Sequence, residues 1–235
     1  MNLIDNLKKD IENSSSRSKA KILQRFFKTG KGEYGEGDLF LGITVPQSRE
    51  IAKKYSNLDI ISINYLLASK IHEERLIALL ILIENYKSST EDKKFQIIDF
   101  YLKNSSFVNN WDLVDLTADK ILGDYLLNKP KGILYKLAKS SLMWERRISI
   151  ISTFAFIKNN EFQDALNISE VLLKDKHDLI HKAVGWMLRE IGKRNQSVEE
   201  EFLKKLYKSM PRTMLRYAIE KFPDDKRKSY LEGKV

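Results

Sequence analysis

Trp111 and Asp115 stand four residues apart in the segment WDLVD, so a helix places an indole and a carboxylate on one face. A carboxylate beside an indole can stabilise a developing cation, by its charge and by the electron-rich ring face. The same acid could serve as a helix cap or an ion-pair partner. Asp112 points elsewhere around the helix, toward solvent or a neighbouring cap. Arg147 lies 36 residues beyond Trp111, three after Trp144 and four before Ile151, near an apolar stripe. An arginine held there needs an anion, either a protein carboxylate or a phosphate. Trp186 follows 39 residues later and shares its helical face with Lys182, Arg189 and Lys193. That set suits a phosphate backbone with an exposed sugar or base edge, or else a core tryptophan with snorkelling cations. Arg212 and Arg216 repeat the four-residue spacing and could grip phosphates without regard to sequence.

Other motifs carry less. His177 and His181 share a face, but no HExxH pattern and no third ligand accompanies them, so no metal and no organic cofactor is expected. Gly30-Lys31-Gly32-Glu33-Tyr34-Gly35 matches GxGxxG in form only. A helix precedes it where a strand is required, and no helix opens directly after it. Five of the ten glycines fall between residues 30 and 42, which marks a loop with unusual backbone angles. Phe26-Phe27, Phe154 and Phe156 are assigned to the core. Gly185, beside Trp186, weakens its helix and calls for close packing or close ligand approach.

The elements that must position these residues read as helices. Hydrophobic content of 43% with 10 Gly and 4 Pro favours an ordered helical globule. The absence of cysteine excludes disulfides and thiolate zinc sites. The first residues lack the charged start and apolar core of a signal peptide, and the longest apolar run, Leu76 to Ile83, is too short to span a bilayer. The net charge is +9, and residues 174–235 hold 16 Lys/Arg against 10 Asp/Glu, which would steer a polyanion toward that end. Helical periodicity predicts helices at 2–12, 17–28, 46–55, 60–69, 72–86, 91–103, 110–128, 131–139, 142–158, 162–173, 178–194, 198–208 and 211–222. Arg75, Trp111 and Arg147 occupy similar places at intervals of 36 residues, as in two-helix repeats of the HEAT type. The expected organisation is a single domain over 1–235. It comprises N-terminal helices and a glycine-rich loop to 45, a repeat array over 46–222, and a basic tail from 223.

The sequence resembles the AlkD family of DNA alkylation repair glycosylases over nearly its whole length. The landmarks are FFKTGKGEYGEGDLFLGITVP at 26–46, WDLVD with ILGDYLL, WERR at 144–147 and KAVGWMLREIGK at 182–193. The resemblance implies an all-α fold, a right-handed superhelical solenoid of HEAT-like repeats that cradles duplex DNA on a basic concave face. It implies a monofunctional glycosylase that hydrolyses the N-glycosidic bond of cationic alkylated bases, chiefly N3-methyladenine and N7-methylguanine. Asp115 would be the catalytic carboxylate, Trp111 and Trp186 would pack against the deoxyribose, and Arg147 would help hold the lesion-bearing backbone. Lys182, Arg189, Lys193, Arg212 and Arg216 are the expected DNA-binding cations. Such relatives are thought to leave the lesion stacked rather than flip it. The glycine-rich stretch at 30–37 is missing from some of them. A cytoplasmic monomer that acts on duplex DNA, with no membrane association and no cofactor, is expected. The alternatives are a noncatalytic HEAT-repeat protein that binds distorted or branched duplex, and a protein-interaction scaffold.

Overall fold

Short polar and glycine-bearing connections divide this chain into helices, and the computed structural model describes residues 3–235. The predicted start of the first helix at residue 2 lies outside the described residues. The chain packs as two compact units, one reaching Leu113 and one running from Val114 to Val235. The first contains α1 (Leu3–Asn13), α2 (Arg17–Phe26), α3 (Val45–Lys54), α4 (Ile60–Leu67), α5 (His72–Lys87) and α6 (Glu91–Lys103). Helix α7 (Trp111–Thr117) opens at its end and continues into the second unit. There follow α8 (Gly132–Ala138), α9 (Met143–Ser152), α10 (Phe154–Lys158), α11 (Gln163–Val171), α12 (Asp178–Gly192), α13 (Gln196–Leu206), α14 (Arg212–Ala218) and α15 (Asp224–Glu232). Among the described residues there is no strand, only an isolated parallel bridge between Leu39 and Ile71. No helix among the described residues is long and apolar enough to cross a membrane.

In the first unit the core is built around α5. Its segment from Leu76 to Ile83 is apolar on every side because α3 and α4 both pack on it. Leu76, Ile77, Leu79, Ile81 and Leu82 are at most 2% exposed, and each such burial stabilises by about 1.5–3 kcal/mol. Helix α3 starts with Pro46 in its first turn and a reciprocal Thr44–Gln47 cap. In the second unit α8 packs on α9, and α12 packs on α9, α13 and α14.

Three features depart from the predicted boundaries. The single helix expected over 110–128 ends at Thr117 and gives way to a π-helical turn over Asp119–Gly123, closed by the Gly123 amide on the Ala118 carbonyl at 2.8 Å. Gly123 is needed there because a Cβ would collide with the Ser152 carbonyl. The helix expected over 142–158 breaks at Thr153. The Ser152 and Thr153 hydroxyls donate back to the Ile148 and Ile150 carbonyls, both at 2.7 Å, an arrangement that bends helices. The expected tail from 223 is largely α15, with Pro223 at its start, Asp224 and Asp225 in its first turn, and Gly233 ending it in the left-handed conformation. Tyr230, 1% exposed, anchors it.

Close packing accounts for Gly185. A Cβ at this position would lie 2.5 Å from the Met214 carbonyl oxygen and 2.5 Å from Tyr217 Cβ. Gly185→Ala is therefore expected to force α12 and α14 apart and cost about 1–3 kcal/mol, read as a lowered Tm. Nearby, Glu199 of α13 is 1% exposed and lies against Gly192 of α12. Burial, reinforced by the adjacent Glu200, raises its pKa to about 8. The folded state thus holds a proton that the unfolded chain releases near 4.5, and the associated stability is lost as pH rises toward 8. Glu199→Gln should flatten that slope, so its Tm exceeds that of the parent most clearly at about pH 9; parallel melting curves at all pH values would contradict this.

Candidate functional site

Helix α7 starts under tight local control. The Trp111 amide donates to Asn110 Oδ1 at 2.8 Å, and the Leu113 amide donates to Asp112 Oδ1 at 2.9 Å. Within the first unit the half-buried Trp111 indole stacks on Phe27, with centroids 5.2 Å apart and planes inclined by 11°, and meets the edge of Phe26 at 5.9 Å. Phe27 is buried as expected, whereas Phe26 is 61% exposed and does not belong to the core. Asp112 does not face solvent. It is 7% exposed and accepts from His72 Nε2 at 2.8 Å. Sequence reasoning missed this partnership; the available signal was the run His72-Glu73-Glu74-Arg75, polar residues placed directly before the apolar core of α5.

In the second unit Arg147 extends from α9 to Asp115. Its Nε donates to Asp115 Oδ1 and its Nη2 to Oδ2, each at 2.8 Å, while Nη1 donates to the Leu179 carbonyl on α12. Sequence left open whether the anion for Arg147 would be a phosphate or a carboxylate; here it is Asp115. The guanidinium is almost enclosed, its side chain 5% exposed, while that of Asp115 keeps 17% of its surface open. A planar fork matched to both carboxylate oxygens fixes the acid in orientation as well as position. Trp186 occurs seven residues beyond Leu179 on α12, half-buried. Its ring is tilted against Phe154 at 5.8 Å, and its Nε1–H donates to Glu190 at 3.0 Å. Phe156 is fully buried, and Phe154 forms part of the wall beside Trp186.

The expected DNA-binding cations are mostly engaged with the protein. Lys182 pairs with Asp178 at 2.7 Å, Lys193 with Glu190 at 2.6 Å, and Arg189 with Glu220. Arg212 donates to the Leu231 carbonyl at 2.7 Å. Arg216 is exposed and, among the described residues, has no ion-pair partner. Arg146 is half-buried and pairs with Asp175 at 2.6 Å. The two histidines of the possible metal pair have structural tasks: His177 Nδ1 accepts from the Leu179 amide at the start of α12, and His181 Nε2 lies against the Asp175 carbonyl. Burial holds His177 below the usual histidine range, consistent with an accepting, neutral ring.

An all-α chain of packed helices, with a partly open carboxylate clamped by Arg147 in its second unit, fits a helical-repeat protein. Its residues 7–222 match the family described as DNA alkylation repair enzyme, and the chain belongs to that family. The fold is similar to that of a solved structure described as a predicted DNA alkylation repair enzyme from Enterococcus faecalis. That match has a TM-score of 0.71 and 16% identity, and covers 90% of this chain and 98% of the other. No curated protein matches the chain.

The geometry makes Arg147 the support of Asp115. Arg147→Met should leave the carboxylate without its cation and the Leu179 carbonyl without its donor, lowering unfolding free energy by ~3 kcal/mol. Arg147→Lys should recover only part of this, because an ammonium cannot reproduce the fork. Urea unfolding of the two variants provides the comparison, and equal losses would refute a role for the fork geometry.

Proposed function

We propose that this chain is a monofunctional DNA glycosylase that hydrolyses the N-glycosidic bond of positively charged alkylated bases in duplex DNA, N3-methyladenine and N7-methylguanine among them. The observation that carries the proposal is the Asp115 carboxylate, gripped through both oxygens by Arg147 yet still partly open, in a chain of the DNA alkylation repair family.

The chemistry follows from the charge on the substrate. A cationic base departs with the bonding electron pair and becomes neutral, so no general acid has to protonate it. The deoxyribose is left as an oxocarbenium-like centre, which a fixed carboxylate stabilises. Water adds at the anomeric carbon and loses a proton, giving the free base and an abasic site. Asp115 stabilises the sugar cation and orients that water, and Arg147 keeps the carboxylate from rotating away. Trp111 and Trp186 pack against the deoxyribose and add the attraction of their ring faces for positive charge. Lys182, Arg189, Lys193, Arg212 and Arg216 take the phosphates.

Asp115→Asn keeps the size of the side chain and removes its charge. Release of 7-methylguanine from methylated duplex should fall on the order of 100–1000-fold, with duplex affinity nearly unchanged. Undiminished release by the variant would remove Asp115 from its role. A wild-type protein that binds duplex in a salt-sensitive manner but releases no base would instead support the noncatalytic duplex-binding reading.

A further inference from the structure

The first unit buries a set of charged residues that the proposed chemistry does not use. His72, Arg75, Asp38 and Asp112 are 2%, 3%, 6% and 7% exposed. Removing ions from water costs several kcal/mol for each unless partners replace the solvent, so such a group persists only where its geometry is good. Here it is. His72 Nδ1 lies 3.2 Å from Asp38 Oδ2 and Nε2 lies 2.8 Å from Asp112 Oδ2. Arg75 Nη2 lies 2.8 Å from Asp38 Oδ1, and Asn110 Nδ2 donates to Asp38 Oδ2 at 3.2 Å. With a carboxylate facing each ring nitrogen, only the doubly protonated ring, which has two donors, can hydrogen-bond to both.

A cavity of about 310 Å³ opens beside this group, lined in part by His72, Asp112, Glu73 and Phe40. The imidazole is not an acid or base for a molecule in that cavity, because both of its nitrogens are committed to carboxylates. Its connections lead to Trp111. Phe40 stacks on His72 with centroids 4.5 Å apart, and Phe27 lies 4.9 Å from both rings; Phe27 in turn stacks on the Trp111 indole. Asn110, Trp111 and Asp112 at the start of α7 are thus all tied to one cluster, Asn110 through Asp38, Trp111 through Phe27, and Asp112 through His72.

We propose that His72 is a positioning residue, whose doubly hydrogen-bonded ring locks the start of α7 and orients the Trp111 indole. The effect on rate rests on the base-release reading above; the effect on Trp111 does not. The groups around His72 are Asp38 from the glycine-rich loop, Asn110 and Asp112 from the start of α7, and Arg75 and Glu73 from α5. Lys19 of α2 lines the same cavity. Burial pushes the His72 pKa down, but the hydrogen bonds to Asp112 and Asp38 outweigh it, and the net direction is up from the ordinary 6.5. As pH rises through that elevated value the ring keeps one donor, and one carboxylate loses its hydrogen bond from the ring.

The wild-type chain, with three histidines and three tryptophans, tests this in the absence of DNA. Nitrogen-15 NMR should show both His72 nitrogens protonated at neutral pH, and the Trp111 indole N–H resonance should move in step with their titration. An indole resonance that ignores His72, or a His72 ring that is neutral at pH 7, overturns the proposal. His72→Gln, which can serve only one of the carboxylates well, should shift the Trp111 resonance throughout. It should also slow single-turnover base release on the order of 10–100-fold, while duplex Kd stays nearly constant. A folded variant with an unmoved indole resonance and parental rate reduces the cluster to packing. Absence of base release by the parent refutes the glycosylase reading and leaves the NMR result to decide the positioning role.

Discussion

The guanidinium of Arg147 is the contact on which the second unit depends. It is donated by α9, closes on a carboxylate from α7 and caps a carbonyl of α12, so one planar group ties three helices together. Removing an arginine from water is costly, and the cost is offset only because the three acceptors are already in place around it. The surrounding breaks serve the same end. The π turn after α7 and the bend at Thr153 allow Gly123 to meet the Ser152 carbonyl, which brings the chain on either side of α7 and α9 close together.

The first unit solves a similar problem with a different residue set. Its central helix is apolar for most of its length, but its first turn carries His72, Glu73, Glu74 and Arg75, all buried. Glu73 accepts from the amides of Leu41, Gly42 and Ile43, so a carboxylate replaces the backbone partners that the irregular loop lacks. Gly42, at φ +84° and against the Ser16 carbonyl, is the residue that permits so close an approach. The segment that follows the glycine-rich stretch is therefore an integral part of the unit, fixed at Asp38 and at 41–43.

Much of this was legible in the sequence. Periodicity located nearly every helix because an inward apolar stripe is a local property, and α6 matches its predicted span of 91–103. Gly185 was recognisably out of place, and its partner on α14 explains why it is there. Breaks were harder, since the Ser152 and Thr153 back-bonds are local options that become decisive only when Gly123 packs beside them. The last helix has its helix signals, Pro223 at one end and Gly233 at the other, set among basic residues that also fit a solvated tail. Pairing across distance was least accessible. Asp38 and Asp112 lie 34 and 40 residues from His72, and no spacing rule joins them. For Arg147 sequence supplied the need for an anion, and only the fold could supply which one.

The cations of α12 have a consequence of their own. Lys182, Arg189 and Lys193 arrive already neutralised by Asp178, Glu220 and Glu190, so the protein carries internal counterions bound to its own backbone. A polyanion that engages these side chains must displace a tethered carboxylate, where an unpaired lysine would shed only a mobile ion into bulk solution. The displaced acid stays close and competes for return. Three such pairs give α12 a weaker pull on a phosphate chain than three unpaired cations would.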